Sequence, residues 1–178
     1  MVELSRDDLM IRLIRLDITA DLIIKGEDRL NLVIVGGGAL VLQWYTTRST
    51  HDMDAISVSP ILLSLLEDYD INCAVQAHIN SFPYNFEDRL VPLFSGRKID
   101  YYTASLEDIV ISKLYSIRTT DQQDIELDSI LCALDWDLLE KLATDEDEAA
   151  ASALNDRRYA EFLSNYQNYK MRFGPCQN

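Results

Sequence analysis

Leu32-Val33-Ile34-Val35-Gly36-Gly37-Gly38-Ala39-Leu40, followed by Arg48-Ser49-Thr50-His51-Asp52-Met53-Asp54, is the stretch around which the chain is arranged. An unbroken apolar run reads as a buried strand, and three glycines stop it. Ala39 to Trp44 follows as an apolar segment of helical length. Two aspartates then open a second apolar stretch. Alternate residues of a strand share a face, so Asp52 and Asp54 project together while Met53 and Ala55 point the other way. Two carboxylates on one face repel unless a cation sits between them, and hard oxygen ligands suit Mg²⁺. Backbone N–H groups at a glycine-rich helix start suit a phosphate. A phosphate cradle just ahead of a metal-binding pair is what phosphoryl chemistry needs.

Blander readings exist for each part. Gly37 and Gly38 can end a strand and let a helix pack closely. Three successive glycines are more than a turn requires. No Gly-Lys-Ser/Thr follows, so this is not a P-loop, and the absence of Gly-x-Gly-x-x-Gly speaks against a dinucleotide fold. An acid pair at a strand start is often just solvated, but the upstream glycines and Arg48-x-Thr50 shift the reading toward a site.

Gly37-Gly38, then thirteen residues, then Asp52-x-Asp54 resembles the signature of the DNA polymerase β-type nucleotidyltransferase superfamily. Gly-Gly-x-Ala-Leu with Arg-x-Thr-x-Asp-x-Asp resembles its small bacterial AbiEii-like branch, which includes nucleotidyltransferase toxins. The resemblance covers roughly residues 30–125. It implies that Asp52 and Asp54 bind Mg²⁺, with two ions about 3.5–4 Å apart around an in-line displacement. It assigns phosphate or nucleotide contacts to Gly37, Gly38 and Arg48. A third carboxylate is expected from a neighbouring strand. Asp100, in Arg97-Lys98-Ile99-Asp100-Tyr101-Tyr102, is the candidate, with Asp88 as a weaker substitute.

Lys113 gives a separate signal. Between Leu106 and Arg118, Leu106, Ile109, Val110, Leu114 and Ile117 form one helical stripe, and Lys113 falls inside it. A buried lysine needs a partner or a ligand, unless it snorkels to water. The resemblance offers the triphosphate, since small nucleotidyltransferases often place a helical lysine there. On that reading Lys113→Met leaves the fold intact and weakens nucleotide binding. Arg118, with Asp121 and Asp124, continues the branch's pattern; a plain ion pair and helix cap is the alternative. His51 reads as a loop neighbour of Asp52.

The chain has 178 residues, 48% hydrophobic, enough for a real core with a helical appendage. Its net charge of −14 lacks the broad basic footprint of a general nucleic-acid binder. Arg157, Arg158, Lys170 and Arg172 are the candidates for a local basic groove, and Tyr159, Tyr166 and Tyr169 pack on the core or a partner. Cys73, Cys132 and Cys176 are odd in number and widely spaced, against a disulfide framework or zinc knuckle. Charges at Asp7, Asp8, Arg12, Arg15 and Asp17 leave no signal-peptide core, and no run reaches membrane-spanning length. A soluble cytoplasmic protein is expected.

Ser5-Arg6-Asp7-Asp8 resembles a capping box, opening a helix that ends near Lys25-Gly26. Expected next are a strand Leu30–Val35, a helix Gly38 to about Tyr45, a strand Asp52–Val58 and a helix from Pro60 through Glu67. Ile71–Ile79 is ambiguous but open to a helix, and Phe82–Asn85 reads as a loop. Two strands, Arg89–Phe94 and Arg97–Thr103, meet at a tight turn, with Pro92 favouring an edge. Helices are expected over Leu106–Arg118, from Thr120 to about Leu134, and over Trp136–Leu142, Asp145–Leu154 and Tyr159–Phe173. The fold class is α+β (α/β): a small mixed sheet flanked by helices, with a helical C-terminal third. A nucleotidyltransferase-like core, 1–104, would precede a helical subdomain, 105–178.

The function expected is Mg²⁺-dependent transfer of a nucleoside monophosphate from an NTP to an acceptor hydroxyl. The toxin-like relatives imply tRNA or protein acceptors and a cognate antitoxin. The alternative is a catalytically inactive nucleotidyltransferase fold serving as a binding or regulatory protein.

Overall fold

The computed structural model describes residues 4–26, 28–47, 50, 52–56, 59–73, 79–145 and 156–175. The chain divides into two compact units, one from 1–77 with 90–104 and the other from 78–89 with 105–178.

The first unit is a five-stranded mixed sheet in the order β3-β2-β1-β5-β4. β1 (Leu30–Val35) lies at its centre, as its unbroken apolar sequence requires, antiparallel to β2 (Met53–Ile56) and parallel to β5 (Ile99–Thr103). β3 is short, Ile71–Asn72, and runs parallel to β2. β4 (Val91–Ser95) forms the other edge, so Pro92 stands in an edge strand, where its missing N–H costs least.

Three helices accompany the sheet. α1 (Arg6–Ile23) starts in a full capping box: the Ser5 hydroxyl accepts from Asp8 N, and the Asp8 carboxylate accepts from Ser5 N. Leu9, Leu13, Leu16 and Ala20 bury its inner face. It packs on α2 (Gly36–Leu42) and α3 (Pro60–Asp68), and α2 packs on β1 and β2. Pro60 opens α3 as expected.

Asp17 sits on the buried side of α1 and accepts from the backbone N–H groups of Arg97, Lys98 and Ile99 at 2.7, 2.9 and 2.9 Å. It thereby fixes the β4–β5 turn. A Cβ at Gly96 would stand 2.3 Å from its carboxylate, so only glycine fits there.

The second unit is helical: α4 (Leu106–Leu114), α5 (Thr119–Ile125), α6 (Asp128–Leu131), α7 (Trp136–Thr144) and α8 (Asp156–Phe173). α4 packs on α5, α7 and α8. Ser105 caps α4 by accepting from Asp108 N. A 3₁₀ turn, Phe86–Arg89, joins this unit because Arg89 makes a forked pair with the buried Asp108 carboxylate, at 2.8 and 3.1 Å. Arg158 donates to Ser81 Oγ at 2.6 Å and holds the same segment against α8.

Several boundaries differ from the sequence reading. α4 ends at Leu114, not Arg118: the Ser116 hydroxyl accepts from Arg118 N, an inter-residue turn that competes with helix. Arg118 becomes the N-cap of α5, displacing the cap expected from Thr120, and the helix expected through Leu134 breaks into α5 and α6. Ile71–Asn72 is a strand where a helix was open. Most of the Asp145–Leu154 helix lies outside the described residues, as do Arg48, His51 and Cys176.

Candidate active site

β1 and β2 carry the site. Val35 pairs with Asp54, so Asp54 meets the end of β1 where the glycine run begins. Met53 and Ala55 are fully buried, while Asp52 is exposed and Asp54 half-buried on the alternate face. Met53, Asp54 and Ala55 follow the alternation read from the sequence, whereas Asp52 stands just before the strand, which starts at Met53 instead of Asp52.

Gly36 opens α2 with φ +64°, and a Cβ there would stand 3.2 Å from Asp54 Oδ2. Both facts demand glycine: the left-handed backbone and the space taken by the carboxylate. The Asp54 carboxylate thus lies against the first residue of α2. Gly37 faces Thr50, with a Cβ position 3.5 Å from Thr50 Oγ1, and Gly38 backs onto Asp52 and Met53 backbone at 3.7 Å. Thr50 is tied by a bridge to Leu4, and its hydroxyl donates to the Asp52 carbonyl at 3.0 Å. Glycines and aspartates thus converge on one locality.

Asn72 completes that locality and was missed from the sequence. β3 pairs Asp54 with Asn72, and Asn72 Nδ2 donates to Asp54 Oδ1 at 2.8 Å. The neutral amide orients one oxygen while the other faces Gly36. The Asp70-Ile71-Asn72 segment gave no strand signal because the strand is only two residues long. Neighbouring Cys73 is half-buried, and burial, then Glu67 and Asp54, push its thiol pKa up. It is a protonated neighbour, not a thiolate nucleophile.

Asp100 does not join the pair. It pairs with Asn31 on β1, four residues from Val35, the partner of Asp54. At about 3.3 Å per residue and two strand spacings of about 4.8 Å, the two Cα atoms stand roughly 16 Å apart. One shared ion cannot span that. Asp100 is instead in a forked ion pair with Arg29, with Nε–Oδ2 at 2.7 Å. The Arg29 hydrogen bonds, joined by one from Ser95, hold its carboxyl down at about 2. The expectation failed because a carboxylate on another strand of the sheet reaches the pair only if the inter-strand register brings it level, and the sequence does not encode that register. Asp88, the substitute, lies exposed in the 3₁₀ turn of the second unit.

Lys113 is buried, and its ammonium is held by Asp121 Oδ1 at 2.6 Å and Asp124 Oδ2 at 2.9 Å. It does not snorkel. α4 is buried nearly all round, so the lysine sits in the core and takes its partners from α5. Burial raises the Asp121 carboxyl, but hydrogen bonds from Lys113 and Ser116, with the Lys113 and Arg118 charges, more than offset it and bring it below the ordinary value. Arg118 itself is exposed.

The basic candidates on α8 are already engaged. Arg157 pairs with Glu161, Lys170 with Glu140 at 2.6 Å and Arg172 with Glu126 at 2.9 Å, while Arg158 holds Ser81. Tyr166 and Tyr169 are buried in the core, and Tyr169 donates to the Ile125 carbonyl.

The residues fit Mg²⁺ in one specific way. Among the described residues no group of three or more His, Cys, Asp or Glu side chains could hold a metal. Asp54 on β2 and Asp52 just before it remain, and Mg²⁺ is commonly held by one or two carboxylates with the rest of its shell from phosphates and water.

A small mixed sheet whose central strand ends in glycines, beside a strand that carries Asp54 and starts just after Asp52, fits the nucleotidyltransferase class of α/β proteins. The chain belongs to the family described as "Nucleotidyltransferase of unknown function (DUF6036)", whose model matches residues 11–174. No curated protein and no solved structure matches the chain. Among the described residues no helix is long and apolar enough to cross a membrane.

Proposed function

We propose that the protein transfers a nucleoside monophosphate from an NTP to an acceptor hydroxyl, with Asp52 and Asp54 holding Mg²⁺. The observation that carries this is the position of Asp54: oriented by Asn72 and lying against Gly36 at the start of α2. Asp52 and Asp54 would hold the Mg²⁺, which would supply charge stabilisation for the attacking and leaving oxygens. The chain's own part is positional. Gly37 and Gly38 pack the start of α2 against Thr50 and the Asp52–Met53 backbone, and Asn72 keeps the Asp54 carboxylate in one orientation.

The AbiEii-like resemblance makes RNA 3′ ends and protein hydroxyls the first acceptors to try, and a toxin with a cognate antitoxin the first biological role. The net charge of −14, with the α8 bases engaged in pairs, favours a protein acceptor over RNA. A second reading is a fold that binds nucleotide without transferring it. It draws on Asn72, a neutral residue where a third acid would stand beside Asp54.

The test is incubation with each labelled NTP, Mg²⁺ and either total RNA or a lysate. Transfer is expected from wild type and none from Asp54→Asn, which keeps the size and the Asn72 contact and should fold with a stability change under about 1 kcal/mol. Mg²⁺-dependent NTP binding without transfer to any acceptor selects the second reading. No Mg²⁺-dependent NTP binding refutes both.

A further inference from the structure

The two aspartates of the site are held by different means. Asp54 lies inside the sheet, paired with Val35 on β1 and with Asn72 on β3, and Asn72 Nδ2 fixes its carboxylate. Asp52 stands outside that ladder. Pairing with β1 stops at Val35–Asp54 and pairing with β3 at Met53–Ile71, so neither register reaches it. Ladder hydrogen bonds are what hold a strand backbone in place. An exposed ligand one residue beyond them needs another restraint.

Thr50 supplies it. The Thr50 hydroxyl donates to the Asp52 carbonyl at 3.0 Å and so ties down the peptide unit that follows the Asp52 side chain. That carbonyl oxygen stands 3.7 Å from where a Cβ on Gly38 would be, and Thr50 Oγ1 stands 3.5 Å from the corresponding point on Gly37. The bond is therefore made beside the first turn of α2. Thr50 is itself pinned in an isolated antiparallel bridge: its N–H donates to the Leu4 carbonyl at 3.1 Å, and its carbonyl accepts from Leu4 N at 2.8 Å. Leu4 is buried, and Ser5, next in the chain, caps α1. A β-branched side chain adds to this, because its restricted χ1 presets the direction of the hydroxyl. Restraint thus passes from the α1 cap through Leu4 and Thr50 to Asp52.

We infer that Thr50 is a positioning residue for Asp52, its hydroxyl holding the Asp52 backbone so that the carboxylate is presented to a divalent cation shared with Asp54. The inference rests on the Mg²⁺ reading given above and adds to it the residue that does for Asp52 what Asn72 does for Asp54. Thr50 acts through the Asp52 backbone and not on the nucleotide. Losing its hydroxyl should therefore raise the Mg²⁺ concentration that NTP binding requires, and leave NTP affinity at saturating Mg²⁺ unchanged.

Titration of Mg²⁺ in an NTP-binding assay on the full chain tests this, with circular dichroism establishing that each variant is folded at the assay temperature. Thr50→Val keeps the branched shape and removes the hydroxyl. Its Mg²⁺ midpoint should rise about tenfold, the loss typical when a partner that orients a metal ligand is removed. Thr50→Ser keeps the hydroxyl and should titrate near wild type. At saturating Mg²⁺ all three should bind NTP equally. An unchanged midpoint in Thr50→Val overturns the inference, and so does a Thr50→Ser that loses as much as Thr50→Val. NTP affinity that stays low in Thr50→Val at saturating Mg²⁺ overturns it too, by putting the hydroxyl on the nucleotide. Each of these leaves the proposed function standing, whereas a wild type with no Mg²⁺-dependent NTP binding removes both.

Discussion

Replacing Lys113 with methionine separates a structural lysine from a ligand-binding one. The ammonium is buried between Asp121 and Asp124, whose side chains are 17% and 15% exposed. Removing one partner from a buried ion pair costs about 3–5 kcal/mol, because the other charge stays without compensation. Partial exposure lets water reach the orphaned carboxylates, so the lower end, about 3 kcal/mol, is expected. The pH dependence has a definite sign. In wild type Asp121 is depressed, so its contribution is present above the unfolded value of about 3.9 and fades as pH falls through the folded one. Without the ammonium, burial at Asp121 is opposed only by the Ser116 hydrogen bond and the Arg118 charge, so its carboxyl rises from its wild-type position and protonation on acidification relieves the variant. The stability gap between wild type and Lys113→Met should therefore narrow from pH 7 to pH 5. Trp136 on α7 stacks with Tyr169, and in a Trp44→Phe background its fluorescence reports urea unfolding of the helical unit. NTP affinity of the folded variant should be unchanged. A loss below about 1 kcal/mol, or a tenfold fall in affinity with stability intact, refutes this account and returns Lys113 to the triphosphate.

Asn72→Ala should weaken Mg²⁺-dependent nucleotide binding or transfer by about 10- to 100-fold while moving the unfolding midpoint little, as expected of a residue that orients a metal-binding carboxylate; titration of Mg²⁺ in the NTP-binding assay reads it. Asp100→Asn should leave transfer intact and lower stability at pH 7. Because Arg29 holds the Asp100 carboxyl at about 2, wild type loses this contribution only as pH drops below about 4, and the variant's deficit should vanish there in acid unfolding curves.

What the sequence made legible was local. The apolar run Leu30–Val35 became the central strand with the expected bounds, and the alternation of Met53, Asp54 and Ala55 held because side-chain period is a property of a single strand, while Asp52 fell just before it. The Ser5 and Ser105 caps held for the same reason. The failures were relational. Asp100 was put forward as the third carboxylate that the resemblance expects from a neighbouring strand, but its distance from Asp54 depends on register across β1, which no local pattern encodes. Asn72 was missed because pairing with β2, not propensity, makes a two-residue strand. Asp17 gave no sign in α1 that its carboxylate would bind three consecutive N–H groups eighty residues away.

Asp54 and Asp100 show how environment divides two similar acids between function and architecture. Each is a half-buried strand aspartate with a side-chain donor on its carboxylate. For Asp100 the donor is a guanidinium, which neutralises the charge while it orients the group, and the depressed pKa measures how fully the carboxylate is committed. A cation offered to it would have to displace Arg29. For Asp54 the described donor is an amide, which fixes the oxygen's direction without itself neutralising the charge. Gly36, with no side chain, keeps the second oxygen clear of any Cβ at the start of α2. Of the two donors, the guanidinium competes with a bound cation and the amide does not. Substituting arginine for Asn72 would convert one environment into the other, and should abolish Mg²⁺-dependent nucleotide binding even with both aspartates in place.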